Sequence, residues 1–183
     1  MAPELVVGLE DPASAQARSL LDAHLALMRA TSPPEDVPAL DLAGLVVPEV
    51  SFFPLRSAGA LIAVGAVKQL DARHAELKSM HTVESARGRG AGRALLEHLV
   101  ATARARGCTR LSLETGSTAA FAPARSRYAS AGFEECGPFG DYVSSPHSTF
   151  MALDLLRRPP AAWSRRGRSG TDGAGGGSAS APG

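Results

Sequence analysis

Residues 83–100 read VESARGRGAGRALLEHLV, and how the polar half of this stretch joins the apolar half decides the fold. Glycines stand at positions 88, 90 and 92, with Arg87, Arg89 and Arg93 between and beside them. Beyond them Leu95, Leu96, Leu99, Val100 and Ala103 fall on one face at helical spacing. The pattern predicts a helix over residues 92–106, with Arg104 and Arg106 at its negative end and Gly107 closing it. A turn of alternating glycines that opens a helix presents unpaired backbone N–H groups at the positive end of the dipole, a combination that holds phosphate oxygens. Glycine lets the backbone approach the anion closely, and arginine adds charge-assisted hydrogen bonds.

Two phosphate-binding motifs fail at definite positions. A P-loop requires Lys and then Ser or Thr after its last glycine, and Gly92 is followed by Arg93 and Ala94. A dinucleotide fingerprint G-x-G-x-x-G needs glycine at position 93 if it starts at Gly88, or at 95 if it starts at Gly90; the chain has Arg93 and Leu95. What remains is R-G-x-G-x-G over residues 87–92, between a strand and a helix.

The surrounding pattern mixes strands and helices. Residues 4–9, ELVVGL, read as a first strand, and residues 11–30 as a helix with Asp11 at its N-cap, Pro12 at its first position and Leu20, Leu21, Leu25 and Met28 on one face. A proline-rich loop leads to a short helix; EVSFFPL and ALIAVGAVKQL, joined by RSAG, form a hairpin. AELKSMHTV follows as a strand in which Leu77, Ser79 and His81 alternate with Lys78, Met80 and Thr82. RLSLET is a buried strand, FAPARSRYASAG a second helix and STFMALDL the final strand. One crossover helix together with several hairpins implies a mixed sheet.

Composition narrows the function. With 183 residues, 44% of them hydrophobic, the chain suits a single domain with one core. Nineteen basic and eighteen acidic residues leave a net charge of +1, so the basic footprint of a dedicated nucleic-acid binder is missing. No leader-like or membrane-spanning apolar run is present, which leads to the expectation of a soluble, cytoplasmic protein. Cys108 and Cys136 suit no disulfide framework or metal spacing and read as buried thiols; the five histidines show no metal spacing either. Residues 157–183, rich in Gly, Ser and Arg, read as a disordered tail after a domain over residues 1–156.

R-G-x-G-x-G, together with AELKSMHT, RLSLET and the Tyr-x-x-x-Gly-Phe run of Tyr128, Gly132 and Phe133, resembles the GNAT superfamily of acyl-CoA-dependent N-acyltransferases. SPPE, LETGS and CGPFGDY are similar to its bacterial small-molecule subgroup. The resemblance implies an α/β (α+β) fold: a central mixed, mostly antiparallel sheet flanked by helices, with acyl-CoA bound where the fourth and fifth strands splay. It implies acetyl-CoA as co-substrate, no metal, a small-molecule amine or amino acid as acceptor and a homodimer by default. A protein N-terminus or lysine as acceptor, and a non-catalytic acyl-CoA-binding homologue, remain open.

An amine attacks a thioester only as the free base, so an enzyme must orient it, remove its proton and assist the leaving sulfur. By resemblance, Met80, His81 and Thr82 line the pantetheine arm, with the Met80 N–H toward the thioester carbonyl. Arg87, Gly88, Arg89, Gly90, Ala91, Gly92 and Arg93 form the pyrophosphate cradle. Glu76 stands where some members carry a base, with Glu114 as the substitute or as a partner for a substrate ammonium. Tyr128 matches the tyrosine that protonates the departing thiolate. Met28, Glu114, Phe139 and Tyr142 are expected to shape the acceptor pocket. The chain departs from the family at Phe121, where asparagine is common, and at Arg127, where leucine is common.

Overall fold

The structure is a computed structural model and describes residues 4–31 and 42–158. Its elements are β1 (Leu5–Val7), α1 (Ala15–Thr31), α2 (Leu42–Leu45), β2 (Val50–Ser57), β3 (Ala60–Gln69), β4 (His74–Thr82), α3 (Ala91–Ala105), β5 (Arg110–Gly116), α4 (Ala122–Ser130), β6 (Glu134–Cys136) and β7 (Ser148–Asp154). The seven strands form one sheet in the order β1-β2-β3-β4-β5-β7-β6. Every neighbouring pair is antiparallel except β4 and β5, which run parallel and are joined by the crossover through α3. The expected mixed sheet is therefore present. The tail lies outside the described residues from position 159 onward.

The two faces of the sheet bury different helices. Leu95, Leu96, Leu99 and Val100 of α3 pack on Val67, Leu77, Leu111 and Leu113, with Tyr128 of α4 in the same cluster. Gly65 lets α3 approach β3: a Cβ there would lie 2.9 Å from Leu99 Cδ1. On the opposite face Ala17 and Leu21 of α1 and Leu45 of α2 cover Phe52, Val64 and Ala66.

Three local expectations are corrected. Helix α1 starts at Ala15, not at Pro12: the Asp11 carboxylate takes the Ala13 N–H at 2.8 Å in a preceding turn. Ser14 then caps the helix, its carbonyl accepting the Arg18 N–H at 2.9 Å and its hydroxyl facing the Ala17 N–H at 3.4 Å. Only Cys108 is a buried thiol; Cys136, on the short strand β6 that the hydrophobic pattern had not marked, is half-buried.

The third correction shapes the site. Val64 pairs with His81 and Ala66 with Lys78, so three residues of β4 span two of β3. The additional residue is a bulge with Ser79 in the left-handed region at φ 55°. It breaks the alternation expected through residues 77–82. His81 moves to the α1 side, where it meets His24, while Met80 and Thr82 move to the α3 side, beside Gly65 and Gly92.

Beyond Gly116 the chain turns so tightly that a Cβ at this position would overlap the Phe121 ring. Gly116→Ala is expected to cost about 1–3 kcal/mol in urea denaturation through overpacking, and Phe121→Ala in the same chain should recover most of the loss.

Candidate active site at the splayed strands

Parallel pairing between β4 and β5 runs from His74–Arg110 to Leu77–Leu113 and then stops, although both strands continue. The bulge at Ser79 bends β4 away, and a cleft opens between the strands. Its inner part is lined by Glu76, Ser79, Met80, Glu114, Tyr128 and Tyr142. Its outer part is a cavity of about 260 Å³ whose lining includes Met80, His81, Thr82, Arg87, Arg127 and Tyr128.

The outer end meets the start of α3. Gly88 and Gly90 have φ of 72° and 88°, values that a side chain would strain. The first intrahelical bond runs from the Ala94 N–H to the Gly90 carbonyl, leaving the N–H groups of the first turn outside the helical ladder. Arg87 is steadied by its Nε–H donating to the Thr82 carbonyl at 3.1 Å. Gly92 is buried, and a Cβ on it would come within 3.0 Å of the Arg127 guanidinium and 3.1 Å of Thr82 Oγ1. Of the arginines expected at the cradle, Arg89 is exposed and Arg93 is bound by Glu97 at 2.8 Å, one turn along α3.

The inner end is polar in the middle of an otherwise apolar sheet. Glu76, only 3% exposed, accepts at Oε1 from Lys78 Nζ at 3.0 Å and from the Tyr142 hydroxyl at 2.5 Å. The Tyr142 bond ties the loop before β7 to β4, while Lys78 and Glu76 lie on the same strand. Burial, then the charge and hydrogen bond of Glu76, push the Tyr142 phenol far above its usual range. Tyr142 packs edge-on to Phe139, ring centroids 5.1 Å apart, and Phe139 is buried under this loop. Glu114 Oε1 accepts from the Ser148 hydroxyl at 2.7 Å. Tyr128 is buried at the junction of the two parts; burial raises its phenol to about 12, with the charge of Arg127 opposing.

The structure thus brings Glu76, Met80, Glu114, Tyr128 and Tyr142 to one cleft, with Phe139 against its wall. Met28 lies on α1, and its side chain falls outside the described residues. Sequence reasoning missed His24, whose Nδ1 is 3.2 Å from His81 Nδ1. Nothing in a pair so far apart along the chain signals the contact; the bulge creates it. It also missed Lys78, although its place two residues from Glu76 on one strand puts both on one face. Among the described residues no cluster of three or more His, Cys, Asp or Glu could hold a metal, and no helix is long and apolar enough to cross a membrane.

A glycine cradle for a diphosphate at the mouth of a cleft between splayed parallel strands is the architecture of an acyl-CoA-dependent N-acyltransferase. Comparison with known proteins agrees. The Acetyltransferase (GNAT) family pattern matches residues 17–133. The chain is 44% identical over 149 residues to the uncharacterized N-acetyltransferase YsnE of Bacillus subtilis, a match covering 81% of this chain and 99% of that protein. It is 33% identical over 154 residues to the IAA acetyltransferase of Azospirillum brasilense, covering 84% and 99%. An acyl-CoA N-acyltransferase structure from Klebsiella pneumoniae superposes with a TM-score of 0.71 at 28% identity, over 82% of this chain and 97% of that one. The chain belongs to the GNAT acetyltransferase family and is an acyl-CoA-dependent N-acetyltransferase.

Burial, and then the charge of His81, lower the pKa of His24 to about 4. Its unfolded value is about 6.5, so as pH falls through this window the unfolded chain takes up the proton first and stability declines. His74, His81 and His98 are also lowered and act with the same sign. Melting temperatures should therefore drop from pH 7 toward pH 4, and His24→Gln should make the decline shallower.

Proposed function

We propose that the protein transfers an acetyl group from acetyl-CoA to the primary amine of a small molecule or amino acid by direct attack. The observation that carries this reading is the small, polar inner end of the cleft. Tyr142, hydrogen-bonded to Glu76 and edge-on to Phe139, stands beside Glu76, Lys78 and Glu114 in a pocket of about 90 Å³ among the described residues, a lining that favours a compact amine.

Acetyl-CoA supplies the acyl group as a thioester, whose C–S bond breaks as the acceptor nitrogen bonds to the carbonyl carbon. The residues present fit it. The left-handed glycines and the start of α3 suit the diphosphate, and the edge of β4 beyond Leu77, which has no partner on the β5 side, offers backbone groups to the pantetheine amides. Met80 N–H serves the carbonyl oxygen as charge develops. Glu76 and Glu114 give the inner end negative charge, which attracts an ammonium and accepts its proton directly or through water. Glu76 is the better-held base: Lys78 and Tyr142 both bind Oε1, so neither occupies Oε2.

Tyr128 meets the leaving sulfur as a hydrogen-bond donor first. With its pKa at about 12, it is protonated at any physiological pH. A thiol titrates near 8.5, so full transfer from Tyr128 runs uphill by on the order of 5 kcal/mol. That cost fits within an ordinary enzymatic barrier, and the hydrogen bond alone already stabilises the thiolate.

A thiol-release assay with acetyl-CoA and panels of amino acids, polyamines and peptides tests the reading; release with peptides alone would defeat it. Tyr128→Phe should lower turnover about 100-fold or more while acetyl-CoA binding persists. Gly90→Glu, which sets a carboxylate and a strained backbone at the diphosphate, should abolish binding in calorimetry. Full turnover by Tyr128→Phe would remove Tyr128 from its role.

A further inference from the structure

Two arginines on α4 differ in what surrounds them. The Arg125 guanidinium donates to the carbonyls of Gly116 and Thr118 and thereby fastens α4 to the end of β5. The Arg127 guanidinium, half-buried, forms no hydrogen bond or ion pair among the described residues. It rests instead against Gly92, in the first turn of α3, where an added Cβ would stand 3.0 Å from both Cζ and an Nη atom. A cation at the positive end of a helix is repelled by the dipole, and removing it partly from water adds to the cost. Arg87 lines the same cavity of about 260 Å³, and no carboxylate lines it. Arg87 and Arg127 thus line one cavity, with Arg127 against the first turn of α3.

We propose that Arg127 is a diphosphate ligand. It supplies a side-chain clamp from α4 that closes, opposite Arg87, on the diphosphate bridge of coenzyme A. This rests on the reading of the cleft as a coenzyme A site. The position favours the diphosphate over the adenosine 3′-phosphate, because the guanidinium rests against Gly92 in the first turn of α3. A planar guanidinium offers two parallel donors to phosphate oxygens, which an ammonium does not. Gly92 is then glycine for two reasons: close approach of the backbone to the anion, and space for the Arg127 fork above it.

The experiment uses calorimetry at low ionic strength with acetyl-CoA, acetyl-3′-dephospho-CoA and acetyl-pantetheine, on wild type, Arg127→Leu and Arg127→Lys. Arg127→Leu should weaken acetyl-CoA and acetyl-3′-dephospho-CoA alike, by about 10- to 100-fold, and leave the affinity for acetyl-pantetheine unchanged. Arg127→Lys should retain part of the affinity. The ligand-free melting temperature of Arg127→Leu should hold or rise, since a repelled cation is removed; a packing role would lower it. Equal weakening of acetyl-pantetheine overturns the proposal, as does a loss confined to acetyl-CoA, which would assign the contact to the 3′-phosphate. If wild type binds acetyl-CoA and Arg127→Leu binds it equally well, only the clamp fails. If wild type binds none of the three, the coenzyme A reading fails with it.

Discussion

The end of β4–β5 pairing after Leu77 and Leu113 is the constraint on which the rest of the structure depends. Backbone N–H and C=O groups left without a neighbouring strand cannot be buried against apolar side chains without a cost of a few kcal/mol each. They have to face a cavity that admits polar atoms. The β5-facing edge of β4 beyond Leu77 therefore both requires and creates the cleft. The bulge at Ser79 starts the divergence, α3 spans it as the crossover of the only parallel pair among the described strands, and α4 covers its outer side.

Charge is distributed along this cleft with a clear polarity. The mouth holds a helix start, Arg87 and Arg127; the inner end holds Glu76 and Glu114, with Lys78 engaged by Glu76. The two ends of the cleft therefore differ in the charge their side chains present. Tyr128 stands between the two fields. Burial raises its pKa and the nearby Arg127 charge restrains the rise.

Much of the architecture was legible because local signals agreed with one another. The apolar face of residues 95–103 fixed α3, Gly107 followed it at φ 80°, and alternating glycines marked the left-handed turn before it. Glu76, Tyr128 and Tyr142 were named as site residues from motif positions, and they do share one cleft. The failures cluster where one residue changes the phase of a strand. No local pattern announces a left-handed serine, so the side chains of residues 80–82 were assigned to the wrong faces. His24 was missed for the same reason, since its partner His81 points to α1 only because of the bulge. Arg127 read as a departure from its family, whereas its meaning lies in what it touches across space.

The bond from Tyr142 to Glu76 links residues 66 apart along the chain and joins the last loop to a central strand. During synthesis β4, α3, β5 and α4 emerge together and bring the outer end of the cleft from neighbouring segments, whereas Tyr142 beside the inner end arrives only with the final hairpin of β6 and β7. That hairpin also completes the core, since β7 pairs along the whole of β5 and adds Met151 and Leu153. The two ends of the cleft are therefore completed at different stages of the nascent chain, the glycine turn first and the Tyr142–Glu76 contact last.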